Sequence, residues 1–151
     1  MDIQQSVEYI CKNLSDVYPK RSWGETALFY NPEQRLPNGV YFCTLKDKDG
    51  PNDKASDLNR QAVFRLSIGV SKDSYQQRFG SIPTRPAKGK TVATGHDFSA
   101  LGELMPHPIY AWMGWICILS PDEATLESLE PLIEEAYGLA AKKFSKRISR
   151  K

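Results

Sequence analysis

The chain has 151 residues, 40% of them hydrophobic and 25% charged, and carries a formal net charge of +2. A chain of this length can remove roughly 70% of its extended surface from water, so neither a disulfide framework nor a structural metal is needed to hold it. The composition excludes a fibrous repeat and a disordered polymer, and the weak charge excludes the strongly basic domain of a dedicated nucleic-acid binder.

Asp2 followed by Gln5 forms a capping-box pattern, and Ile3, Val7, Ile10 and Leu14 recur at helical spacing, which predicts an amphipathic helix over residues 3 to 15. That alternation is unlike a signal peptide, and the longest apolar stretch, Ile109 to Leu119, is well below the roughly 20 residues of a bilayer span. A cytoplasmic protein without a membrane segment is expected. Pro19 and the polar run Lys20, Arg21, Ser22 end the helix. Thr26 to Tyr30 and Val40 to Lys46 are rich in aromatic and β-branched residues and flank the turn sequence Leu36-Pro37-Asn38-Gly39, so they read as two antiparallel strands.

Asp47 to Arg60 is charged and holds Gly50 and Pro51, which predicts a solvated loop. In the strand that follows, Ala62, Phe64, Leu66, Ile68 and Val70 alternate with Val63, Arg65, Ser67 and Gly69, placing Arg65 on a more open face. Ser71 to Phe79 reads as a short helix stopped by Gly80, and Ser81 to Gly95 as a loop rich in proline, glycine and basic residues. Ile109 to Leu119 is apolar on both parities, as a central strand would be. Ser120-Pro121-Asp122-Glu123 marks a helix start with Ser120 as its cap, but Pro131 divides the region into a short turn at 121–127 and a main helix from about Ser128 to Arg147. Leu129, Ile133, Ala136, Ala140 and Phe144 would then face the sheet. The expected architecture is one α+β domain spanning 1–151, with an antiparallel sheet of about four or five strands and its N-terminal and C-terminal helices packed on one face.

No strong catalytic motif is present. Ala87-Lys88-Gly89-Lys90-Thr91 ends like a phosphate-binding P-loop, but Thr84 stands where that motif needs glycine. His96 and His107 have no cysteine nearby, so no metal site and no cofactor are expected. Cys11, Cys43 and Cys117 read as reduced, buried small hydrophobes. The six basic residues between Lys142 and Lys151 follow six acids between Asp122 and Glu135, an order that complements a helix macrodipole. Residues 142–151 are therefore expected to be a basic helix end or tail.

Three functional readings follow. The first is a non-catalytic ligand-binding or regulatory domain in which Trp23, Glu25, Arg60, Arg65, His107, Tyr110 and Trp112 meet on the open sheet face and hold a small anionic or planar ligand. Against it stands an aromatic mini-core in which Arg65 pairs with Glu25 or Asp57 only to satisfy buried charge. The second is nucleic-acid binding through Arg85, Lys88, Lys90, Lys142, Lys143, Lys146 and Arg147. The third is an enzyme using His107 with Glu25 or Asp97 as acid or base. A homodimer stays open.

The strings Ser22-Trp23-Gly24-Glu25, Phe29-Tyr30-Asn31-Pro32, Leu36-Pro37-Asn38-Gly39-Val40-Tyr41-Phe42, Ser56-Asp57-Leu58-Asn59-Arg60 and Met105-Pro106-His107-Pro108-Ile109-Tyr110 together resemble a bacterial family of unknown function, DUF6194, over roughly residues 20 to 140. That resemblance implies no particular activity. More distantly, the order of elements and the ending Trp115, Leu129, Leu132-Ile133, Ala136-Tyr137 resemble the YjbR/MmcQ type of small α+β protein, often called double-wing DNA-binding. That likeness implies a YjbR-like fold and, by analogy alone, nucleic acid as a partner.

Overall fold

The computed structural model describes residues 1–150, so Lys151 of the expected basic end lies outside the described residues. Six strands form one antiparallel sheet in the order β1-β2-β3-β4-β6-β5: β1 (Val17–Ser22), β2 (Glu25–Tyr30), β3 (Val40–Lys46), β4 (Arg65–Ile68), β5 (Met105–Pro106) and β6 (Ile116–Leu119). Four α-helices accompany them: α1 (Ile3–Lys12), α2 (Lys72–Phe79), α3 (Glu123–Ser128) and α4 (Glu130–Ser149). The expected four or five strands are thus six. The two unforeseen ones are edge strands: β1 is largely exposed and holds Pro19, and β5, though buried, has two residues and so shows no period.

The N-terminal helix starts as its sequence dictates. Asp2 accepts from the Gln5 backbone N–H at 2.8 Å, and the Gln5 side chain accepts from the Asp2 N–H at 2.9 Å. Val7 and Ile10 are buried, and Tyr9 donates to Glu130 at 2.5 Å, tying α1 to the start of α4. Helix α4 lies across β2 and β3 and buries Leu132, Ile133, Ala136, Ala140 and Phe144. Tyr137 meets the rings of Tyr30 and Phe42 edge-on, and Phe144 meets Tyr30 in the same way.

Two boundaries depart from the sequence reading. The cap of α3 is Asp122, which accepts from the Thr125 N–H, because Ser120 sits at φ 44 and its hydroxyl instead accepts from the Phe64 N–H. Only Ile116–Leu119 of the apolar run is strand. Its first half closes into a short 3₁₀ turn at Ala111–Met113 that ends at Gly114, with φ 94, where an added Cβ would approach the Val70 carbonyl oxygen to 3.2 Å.

The faces of the sheet differ because β3 carries an extra residue. Leu28 pairs with Cys43 and Phe29 with Tyr41, leaving Phe42 as a bulge. Phe42 and Cys43 consequently both lie on the helix side, while Tyr41 and Thr44 both face the other way, toward the loops 47–64 and 80–113.

Candidate functional site

The loop-covered face begins with a buried charge. Arg65, on β4, is 1% exposed. Its guanidinium donates to both carboxylate oxygens of Asp53, at 2.9 and 2.5 Å, and to the Ser56 hydroxyl at 3.1 Å. Lys46, beside Arg65 across the β3–β4 pairing, donates to the same carboxylate at 3.1 Å. Burial by itself would raise the Asp53 pKa, but the Arg65 hydrogen bonds and the Arg65 and Lys46 charges outweigh it and hold the carboxyl far below its ordinary range. The partner of Arg65 is therefore Asp53, not the expected Glu25 or Asp57. Asp53 was missed because it sits in a loop that reads as solvated; the one available signal was that a strand arginine needs a counter-ion. The ion pair leaves Arg65 Nε, and beside it on the same strand Ser67 Oγ, buried with no partner.

His107 follows β5, and its backbone N–H bonds to the Trp115 carbonyl. Its ring Nδ1 accepts from the backbone N–H groups of Ile109 and Tyr110, both at 3.1 Å. Two backbone donors at one ring nitrogen require the tautomer that carries its proton on Nε2. Burial, reinforced by the charges of Arg65 and Lys46, holds the imidazole pKa well below its ordinary value. At neutral pH the ring is thus uncharged, with Nε2–H as its remaining polar group.

Glu25 opens β2, opposite Lys46. Burial raises its pKa against the opposing charges of Lys46 and Arg65, and its carboxylate pairs with no described residue within salt-bridge distance.

Two adjoining cavities share Glu25 and Tyr110. The smaller, about 260 Å³, is bordered by Phe29, Tyr41 and Trp115 along one side, and by Thr44, His107 and Met113. Its aromatic wall is continuous, with the Tyr41 ring 5.8 Å from that of Phe29 and 5.7 Å from that of Trp115. The larger, about 560 Å³, runs between the 47–64 and 80–113 segments and is bordered by Lys46, Asp53, Arg85, Lys88, Lys90 and Trp112. The Arg85 guanidinium stands 4.8 Å from the Trp112 ring centroid. A pocket of several hundred Å³ with apolar walls and a few convergent polar groups is the usual form of a small-molecule site.

Of the residues expected to meet, Glu25, His107, Tyr110 and Trp112 border this cleft, and Arg65 braces its floor. Trp23 does not: it tips the β1–β2 hairpin at φ 56 and is 98% exposed. Arg60 is also elsewhere, donating to the carbonyls of Ser56, Asp57 and Ser99 and so fastening one loop to another. Asp97 is occupied with the Ser99 backbone N–H and hydroxyl, and it borders neither cavity. The cations assigned to nucleic acid divide. Arg85, Lys88 and Lys90 line the cleft, whereas Lys142, Lys143, Lys146 and Arg147 belong to α4, which packs on the opposite face. Lys46, Phe29 and Tyr41 were missed; the alternation Glu25, Ala27, Phe29 in β2 was the signal that could have shown Phe29, whereas Tyr41 depends on the β3 bulge.

Cys43 and Cys117 are buried free thiols, and burial pushes Cys117 up to about 12, which removes them as nucleophiles. Among the described residues no three His, Cys, Asp or Glu side chains gather into a metal-binding group, and no helix is long and apolar enough to cross a membrane.

The model of a family described as a family of unknown function, DUF6194, matches residues 1–149. No curated protein matches the chain. A crystal structure of a protein from Pseudomonas syringae, a structural-genomics target, is similar at 16% identity and a TM-score of 0.46, with 93% of this chain and 99% of that one covered.

Proposed function

Since the chain belongs to the DUF6194 family of unknown function, its own residues must supply any reading of its role, and we propose that it is a single-domain, non-catalytic binding protein whose paired cavities take a small, planar, anionic ligand. The observation that carries this is the pair itself. An aromatic-walled cavity with an unpaired carboxylate and a fixed imidazole N–H opens beside one lined by Arg85, Lys88 and Lys90, none of which forms an ion pair with a described residue. Binding is favoured over acid–base catalysis because His107 is poorly suited to move protons. Two backbone donors occupy its only acceptor nitrogen, and its surroundings oppose a second proton. Nucleic-acid binding of double-wing type is disfavoured, since the loop cations and the α4 cations stand on opposite faces of the sheet and one duplex would not engage both. The free cysteines support a reducing, cytoplasmic setting.

A thermal-shift screen of small metabolites tests the reading. Wild type should be stabilised by planar anions, and Lys88→Ala combined with Lys90→Ala should abolish that gain. A library without a stabilising compound, or a gain that survives the double substitution, would overturn it.

A further inference from the structure

The shared border at Glu25 and Tyr110 means that one molecule can occupy both cavities. The larger end is cationic. Arg85, Lys88 and Lys90 line it; of its two carboxylates, Asp53 is already engaged by Arg65 and Lys46, and Glu25 stands at the border with the smaller cavity. Trp112 beneath Arg85 holds that guanidinium in place and leaves its N–H groups to an oxyanion. The smaller end has ring surfaces from Phe29, Tyr41 and Trp115 for stacking, and polar groups suited to reading an edge: the Glu25 carboxylate as acceptor, the His107 Nε2–H as donor and the Thr44 hydroxyl as either. An aromatic cage for an ammonium group is the alternative, but Lys46 and Arg65 lie against the same face and repel a cation. A neutral ring with adjacent donor and acceptor atoms fits better, and each nucleobase presents such an edge.

We infer that the cleft is a nucleoside 5′-monophosphate site, with the base stacked in the aromatic cavity against Glu25 and His107 and the phosphate held by Arg85, Lys88 and Lys90. This rests on the binding reading above and gives it a ligand class. The site is of mononucleotide size, since Lys142, Lys143, Lys146 and Arg147 of α4 are on the far face and offer nothing for the phosphate of a following nucleotide to meet.

Titration of the Trp23→Phe protein, followed by tryptophan fluorescence, tests the inference; the substitution removes the emission of an indole in contact with solvent only and leaves Trp112 and Trp115 to report on the two cavities. The probes are AMP, GMP, CMP and UMP, their nucleosides, ribose 5-phosphate, inorganic phosphate and a 5′-phosphorylated oligonucleotide. At least one monophosphate should bind ten times more tightly than both its nucleoside and ribose 5-phosphate. Tyr41→Ala should weaken that nucleotide about tenfold, the effect of losing one stacked ring, and leave ribose 5-phosphate unchanged. Glu25→Gln should alter the order of preference among the four bases. Ribose 5-phosphate or phosphate binding as well as the nucleotides would overturn the inference and leave the anion-binding reading intact. Tighter binding of the oligonucleotide would overturn it in favour of a strand end. Silence from every probe while another planar anion stabilises the protein would overturn the nucleotide alone, and silence from the whole library would remove both readings.

Discussion

Arg65 and Asp53 show how a charge is kept beneath a cleft. Removing Asp53 leaves the buried Arg65 guanidinium without its counter-ion, so Asp53→Ala should cost about 3–5 kcal/mol, measured by urea denaturation, and a loss under 1 kcal/mol would mean that water from the cleft replaces the carboxylate. The Asp53→Leu, Arg65→Met double variant should recover most of that loss, because an apolar pair needs no desolvation of charge. His107 has a different signature. Below about pH 6.5 the unfolded chain binds a proton at this position that the folded chain refuses. Stability should therefore fall as pH drops from 6.5 toward the depressed folded value, by up to about 1.4 kcal/mol per pH unit. Glu25, with its raised folded pKa, works in the opposite sense through its own titration, since the folded chain holds that proton more tightly. The difference between wild type and His107→Gln isolates the imidazole: Gln retains an acceptor for the Ile109 and Tyr110 amides, and the slope should flatten. An unchanged slope would show that the ring charges freely in the fold. Strand alternation put Arg65 on the face that reads as more open, yet Arg65 is 1% exposed because the 47–64 loop folds over that face and supplies its partner. Alternation could not supply Asp53, whose neighbours in the chain are all those of a solvated loop.

At the level of elements, the β1–β2 hairpin holds a residue in a conformation that its side chain resists. Trp23 and Gly24 both have positive φ, 56 and 75, as a two-residue hairpin with matched twist requires. Asparagine and glycine suit the first of these positions; a tryptophan there, touching little protein, does not. Trp23→Asn should therefore stabilise the protein by about 1 kcal/mol in thermal or chemical unfolding, with ligand binding unchanged. A loss of stability would show that the indole has contacts worth more than the strain. Gly69 works the other way. A Cβ on it would come within 2.7 Å of the Trp115 ring, so Gly69→Ala should push the ring off the sheet, cost about 1–3 kcal/mol as overpacking does, and shift Trp115 emission. The strands with a clear apolar face, β2 and β3, were legible to within a residue. The edge strand β1 was hidden because a largely exposed strand needs no apolar pattern, β5 because two buried residues are too few to show a period, and the β3 bulge because a single extra residue resembles ordinary alternation until its partner strand is known.

For the molecule as a whole, the sheet separates two kinds of positive charge that composition cannot distinguish. The loop cations Arg85, Lys88 and Lys90 border a concavity, where low-dielectric walls concentrate their field on a bound anion. The α4 cations end a helix that begins with Glu130 in its first turn, and Lys146 and Arg147 occupy its last turn, where they offset the negative end of the helix dipole. Charge alone joins the two groups in the nucleic-acid reading, because both are basic; only the packing of α4 on the Phe42 and Tyr30 side of the sheet puts them apart. The two sets should accordingly answer to different measurements. Replacing Lys146 and Arg147 by alanine should lower stability by about 1 kcal/mol, an effect that shrinks with added salt, and leave the affinity for a planar anion within a factor of two. Replacing Lys88 and Lys90 should leave unfolding unaltered and weaken that affinity at least tenfold, with a smaller dependence of the remaining binding on ionic strength. If the helix-end substitutions weakened anion binding as much as the loop substitutions did, the two patches would have to act on one ligand, which the intervening sheet does not allow to a small molecule.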